Sequence, residues 1–257
     1  MKNKILIYND VGVFNIHPLK TALEAYFKNN IEIDTISSTE IVNNTKLTND
    51  ILALFIPGGI ANKYFEKIGI KGNKNIQNYI KNGGIYFGIC GGAYYACNKV
   101  EFENDIPNSK INAQYKLDLI NSCAKGTLYK ELDIQPFSHS IDATTIVDIE
   151  YINSVIKTNS SALYHGGPFF DLIEKNCQII ANYKLKSGKK LPAILQKTYG
   201  KGKVIISGVH FEYNLENLEN IISYTNKTNS HSEILKKIKL KEDKRQTLFK
   251  QLMQKIR

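Results

Sequence analysis

Short apolar runs that stop at glycine, proline or asparagine punctuate the chain, and between several of them the apolar residues fall at helical spacing. Ile5-Leu6-Ile7-Tyr8 runs into Asn9-Asp10-Val11-Gly12, the pattern of a buried parallel strand whose carboxyl end opens into a loop. From His17 to Asn29, residues Leu19, Ala22, Leu23, Tyr26 and Phe27 mark one face of a covering helix. Ile31 to Ile36 alternates as an outer strand would, and an Asn/Thr-rich connection with a short helix follows before Asp50. Ile51 to Ile56 predicts the next strand, which stops at Pro57-Gly58-Gly59 because proline cannot continue a ladder. A helix at Asn75 to Asn82 then leads into a strand that begins at Gly83-Gly84 and runs up to Cys90.

The pattern loosens between residues 100 and 165, where Leu117 to Ile120, Gly126 to Tyr129 and Thr144 to Val147 read as short strands of unassigned order. Cys177 to Tyr183 is a further strand. Ala193 to Tyr199 and Val204 to Ser207 form a hairpin about the turn Gly200-Lys201-Gly202-Lys203. A helix from Glu216 to about Tyr224 and a polar spacer, Thr225 to Ser230, come next. The final stretch carries a partial helical stripe of Leu235, Ile238, Leu248, Leu252 and Ile256. The organisation expected is one α/β domain, residues 1–226, with a basic helical tail, 227–257.

Composition narrows the class. With 42% hydrophobic and 23% charged residues, the 257-residue chain falls in the globular range and outside the disordered and fibrous ones. No run approaches the ~20 apolar residues of a membrane span, and the amino terminus enters a strand pattern without a secretory apolar region, so a cytoplasmic protein is expected. Cys90, Cys97, Cys123 and Cys177 lack Cys-x-x-Cys pairing and zinc-ligand spacing to histidine. Reduced thiols are therefore expected, with no disulfide, metal or cofactor. The net charge of +10 is unevenly spread: residues 231–257 hold nine Lys or Arg against three Asp or Glu, a net of +6, leaving +4 for the rest. Nucleic-acid binding is not expected of so balanced a body. The tail reads as a helix packed on the body or on a protein partner.

The chemistry centres on Gly88-Ile89-Cys90-Gly91-Gly92, a cysteine bracketed by glycines at a strand-to-helix junction. Such an elbow exposes the central side chain at the end of a strand and aims the next helix's amino terminus at the sulfur, favouring thiolate. The plainer reading is a small buried hydrophobe. His210-Phe211-Glu212, directly after the run Val204 to Ile206, supplies a base and a group to orient it, in the order a Cys-His-Glu triad takes on a parallel sheet. The loop at Pro57-Gly58-Gly59 ends the strand neighbouring that of Cys90, so the amides of Gly91 and of Gly59 or Gly58 are the expected oxyanion donors. Tyr164, Gly166 and Gly167, in Tyr164-His165-Gly166-Gly167-Pro168-Phe169, are candidates for a loop approaching a ligand; a glycine turn with core aromatics is the alternative.

Taken in order, Pro57-Gly58-Gly59, Gly88-Ile89-Cys90-Gly91-Gly92 and His210-Phe211-Glu212 resemble the motifs of a class I glutamine amidotransferase-like domain. Phe87 to Tyr95 running on to Val100-Glu101-Phe102-Glu103, together with Tyr164 to Phe169, is similar to the amino-terminal domain of eukaryotic-type biotin-protein ligases, a resemblance spanning roughly Ile5 to Tyr224. It implies a flavodoxin-like doubly wound sheet, mostly parallel with an antiparallel hairpin near the carboxyl terminus, and a site at the carboxyl ends of the strands. It also implies Cys90 as nucleophile, His210 as base and Glu212 as orienter. Phe211 departs from the proline usual in amidotransferases, and no Gly-Arg-Gly-Arg-x-Gly run follows, so biotin ligation is not expected. The expected activity is thiol-dependent hydrolysis of a small amide or ester. The alternative is a noncatalytic small-ligand-binding or regulatory module, since in those ligases the domain is an accessory.

Overall fold

The computed structural model describes residues 2–103, 105–152, 157–223 and 229–256. Strand and helix alternate first: β1 (Lys4–Tyr8), α1 (His17–Phe27), β2 (Glu32–Ile36), α2 (Ser38–Asn43), β3 (Ile51–Ile56), α3 (Ala61–Lys81), β4 (Ile85–Ile89) and α4 (Gly91–Ala96). Strands then dominate: β5 (Cys97–Phe102), β6 (Ile111–Ala113), β7 (Ile120–Gly126), α5 (Tyr129–Leu132), β8 (Thr144–Ile152), β9 (Lys157–His165), β10 (Phe169–Asp171), β11 (Cys177–Lys184), β12 (Lys190–Tyr199) and β13 (Gly202–Ser207). Helices α6 (Leu215–Ser223) and α7 (Asn229–Gln254) follow. Of the expected spacer, Thr225 to Ser230, residues 225–228 lie outside the described residues, as do the expected domain boundary at 226/227 and Tyr224, and Asn229 and Ser230 begin α7 instead.

Local chemistry accounts for the element ends. Pro18 opens α1, where its missing N–H has no intrahelical acceptor to satisfy. Ser37 and Glu40 close a reciprocal capping box on α2. The helix expected at Asn75 to Asn82 is the second half of α3, whose buried residues Tyr64, Ile68, Ile76 and Ile80 continue one face across a non-helical Gly69. The strand expected at Leu117 to Ile120 begins only at Ile120, because Lys116 and Asp118 take positive φ and break the extended run. Gly126 to Tyr129 is likewise a strand end turning into α5.

Nine strands form one sheet in the order β2-β1-β3-β4-β13-β12-β11-β8-β9. The first five are parallel and take the flavodoxin-like order; from β13 onward every pairing is antiparallel. The expected hairpin is β12–β13, and it continues through β11, β8 and β9 into a broader antiparallel arm. A second sheet, β10-β7-β5-β6, lies beside the first.

Alternation along β1 divides the core. Ile5 and Ile7 join Leu19, Leu23 and Phe27 of α1 on one face, whereas Leu6 and Tyr8 join α3 and the second sheet on the other. The carboxyl-terminal part of the α7 stripe is buried in the first of these: Leu248, Leu252 and Met253, with Ile256 just beyond the helix, pack against the large sheet. Arg245, also buried, donates from Nη1 to the Phe211 carbonyl at 2.8 Å and pairs with Glu242 through Nε at 3.0 Å and Nη2 at 2.6 Å. Helix α7 is thus bound into the core and to the His210-Phe211-Glu212 segment. Leu252→Ala removes a fully buried side chain from this contact; the expected loss is about 3 kcal/mol of unfolding free energy, read from the urea midpoint at unchanged slope.

Candidate active site

Strands β3, β4 and β13 lie side by side and parallel, with Phe55 opposite Phe87 and Ser207 opposite Ile89. Their carboxyl ends therefore present Gly58-Gly59, Cys90 and His210 at one edge of the sheet. Cys90 caps α4 with φ 49° and ψ −104°, a strained conformation for a residue with a side chain and the signature of an elbow. Its N–H is tied to Ser207 O at 2.8 Å, and its Sγ lies 3.5 Å from His165 O. The backbone of His210 is pinned to β9 by two bonds to Leu163, His210 N to Leu163 O at 2.8 Å and Leu163 N to His210 O at 3.1 Å.

His210 Nδ1 meets Glu212 Oε1 at 2.7 Å, and the ring stands beside the elbow: a Cβ on Gly58 would touch both, at 2.6 Å from His210 Cε1 and 3.6 Å from Cys90 Cβ. All three residues are buried, at 8%, 7% and 4% exposure for Cys90, His210 and Glu212. Burial by itself disfavours charge on the imidazole, but the Glu212 carboxylate and neighbouring Cys90 outweigh it and hold the His210 pKa well above its ordinary value. Glu212 Oε2 is buried and meets no donor among the described residues, so the imidazole is the group that answers its charge.

Gly91 and Gly59, the expected oxyanion donors, lie against each other. A Cβ on Gly91 would stand 2.2 Å from Gly59 O and 2.8 Å from Gly59 N. Gly91 opens α4, so its N–H has no intrahelical acceptor. Gly58 lies under the imidazole, where an added Cβ would sit 2.6 Å from His210 Cε1. The remaining candidates divide. Gly166 lines a cavity at Cys90, and its carbonyl accepts from Tyr94 Oη at 3.1 Å. Gly167 abuts the Gly208 backbone, and fully buried Tyr164 accepts from Leu128 N at 2.7 Å and donates to Gly167 O at 2.9 Å. These two stand behind the site, bracing the approach to His210.

Sequence reasoning overlooked the histidines. His139, His165 and His231 share a cavity with His210 and Cys90, so four of the chain's five histidines converge there. That fold-independent count was the available signal. His165 donates from Nε2 to Ser138 O at 2.9 Å, and burial first, opposed by that bond and aided by nearby His210 and His139, lowers its pKa. No group of three or more His, Cys, Asp or Glu among the described residues is placed to hold a metal ion.

A nucleophile elbow and a His-x-Glu turn on adjacent strands of this sheet define a class I glutamine amidotransferase-like fold. A crystal structure of a glutamine amidotransferase matches it with a TM-score of 0.55 and 15% identity, covering 81% of this chain and 90% of that one. The family model for the biotin-protein ligase N-terminal region matches residues 3–257, and the chain belongs to that family. An uncharacterized protein of Chlamydia muridarum is 27% identical over 259 residues, covering 98% of this chain and 96% of that protein. A biotin-protein ligase of Schizosaccharomyces pombe is 26% identical over 223 residues, covering 82% of this chain but 34% of the ligase, so the likeness spans about a third of that enzyme.

Two outcomes follow from the geometry. Glu212→Gln removes the largest influence that raises the His210 pKa, which then falls. Iodoacetamide labelling of Cys90 should drop about tenfold at pH 7. Gly91→Ala forces a methyl into the Gly59 carbonyl; it should lower turnover about 100-fold or more while the folded protein remains alkylated at Cys90.

Proposed function

We propose that the protein is a thiol hydrolase acting on a small amide or ester through Cys90, His210 and Glu212. The observation that carries this reading is the 2.7 Å contact of His210 Nδ1 with Glu212 Oε1, the imidazole standing beside Cys90 over Gly58. The Cys90 thiolate attacks the substrate carbonyl carbon, and the Gly59 and Gly91 amides receive the oxyanion. Protonated His210 then gives its proton to the departing nitrogen or oxygen as that bond breaks, leaving a thioester on Cys90. Water attacks the thioester, neutral His210 takes the proton, and the acid leaves as the thiol is restored. Glu212 keeps the imidazole oriented and favours its charged form in both halves of the cycle.

The reaction is assigned to the cytoplasm, in keeping with four free cysteines, and no helix among the described residues is long and apolar enough to cross a membrane. Helix α7 offers a protein partner its polar outer face, its apolar stripe being buried. Biotin ligation is not part of the reading, because the match to a ligase covers 34% of that protein. Cys90→Ala should abolish both turnover and iodoacetamide labelling at pH 7, and His210→Ala should slow labelling about 100-fold. Equal labelling of wild type and His210→Ala would reduce the site to a small-ligand-binding pocket on the same fold.

A further inference from the structure

Two cavities share Cys90. One, of about 200 Å³, includes His210, His139, His165 and His231. The other, of about 370 Å³, runs from Gly59 and Cys90 under the smaller sheet, walled by Tyr94, Val100, Phe102, Tyr115, Phe137 and the rim residue Ile111. Phe14, Gly59, Cys90 and His139 belong to both, so a carbonyl bound at Cys90 and Gly59 has room on two sides.

Resting on the hydrolase reading above, the chemistry assigns each side a part of the substrate. His210 protonates the group that departs, so the departing amine must lie in the histidine-lined cavity and the acyl group in the other. If that amine were ammonia, a cavity of about 200 Å³ would be far too large, since one small molecule of that kind needs about 10–15 Å³ on the same scale. The wall there sets hydrogen-bonding groups of His139, His165 and His231 among the apolar surfaces of Phe14, Leu163 and Leu218. These groups suit a substituted nitrogen bearing hydrogen-bonding atoms.

The acyl cavity is the roomier of the two. Its inner wall is aromatic and aliphatic, which rewards an apolar occupant with about 0.8 kcal/mol per methylene, roughly fourfold in binding. Among the described residues it holds two charged side chains. Glu103 is buried, and its Oε1 already accepts from Phe137 N at 2.7 Å and Thr127 Oγ1 at 3.1 Å; Lys110 is exposed at the rim. No cation in the inner wall faces the carboxylate that a free amino-acid substrate such as glutamine would bring, and burying that charge unpaired is costly.

We infer that the substrate is an N-substituted amide with an apolar acyl group, cleaved with one water to a carboxylic acid and an amine, and that free glutamine is excluded. The acyl chain lies under β5 and β6, and the amine lies among the histidines.

Three measurements on the full chain test this. Iodoacetamide labelling of Cys90 in wild type and His210→Ala first isolates the hydrolase reading: labelling independent of His210 overturns both that reading and this inference. With His210-dependent labelling in hand, inactivation by alkyl chloromethyl ketones of increasing chain length probes the acyl cavity without requiring turnover. The hexyl ketone should inactivate at least tenfold faster than the methyl ketone, and Ile111→Asp at the rim should shrink that ratio. Hydrolysis of hexanoyl p-nitroanilide should exceed that of L-glutamine at least 100-fold in kcat/KM. A flat or falling chain-length series, or glutamine as the better substrate, would overturn the assignment while leaving the triad intact.

Discussion

A buried contact between His210 and Glu212, set beside Cys90, is what the surrounding structure is arranged around. The 2.7 Å approach of Nδ1 to Oε1 keeps its strength only away from water, where the charge of the carboxylate is not screened. Keeping them dry demands a rigid frame. Adjacent parallel strands β4 and β13 fix the sulfur and the imidazole in register, and β9 fastens the His210 backbone from the other side. The motif around Tyr164, which looks from the sequence like a ligand loop, belongs largely to that frame.

The same frame explains why a long antiparallel arm and a helix far along the chain belong to the site. Where the usual amidotransferase proline would stiffen the His-x-Glu turn, this chain has Phe211. Its ring packs between Phe87 and Phe249, with centroids 5.3 and 6.0 Å away, and its carbonyl accepts from Arg245. Packing and a charge-assisted hydrogen bond thus do from outside the turn what a fixed φ does from within it. Helix α7 also brings His231 to the cavity edge, so the segment that looks from its charge like an appended tail both braces the base and helps wall the space beside it.

Fold and function separate at this point. What the chain shares with a glutamine amidotransferase of known structure is a fold spanning 81% of its length. The second sheet and the loop carrying Phe137 and His139 border the spaces around Cys90, one lined by four histidines and the other by aromatic residues of β5 and its neighbours. One architecture can carry different functions through the walls built around its strand ends.

Much of the frame was legible in the amino-acid order. Local rules sufficed for β1, β3, β4 and the β12–β13 hairpin, because buried parallel strands are short apolar runs and their ends are written in Pro57-Gly58-Gly59 and Gly91-Gly92. Cys90, His210 and Glu212 were likewise readable, since an elbow and a His-x-Glu each occupy a few consecutive residues. What the order could not convey were relations between residues far apart: Arg245 reaching Phe211, histidines of a loop, a strand and a helix sharing a cavity with His210, and β8 and β9 joining the large sheet instead of the small one. Such contacts leave no periodicity in the chain, because they are chosen by which surfaces remain to be buried once the local elements exist, and that choice is made only in the folded state.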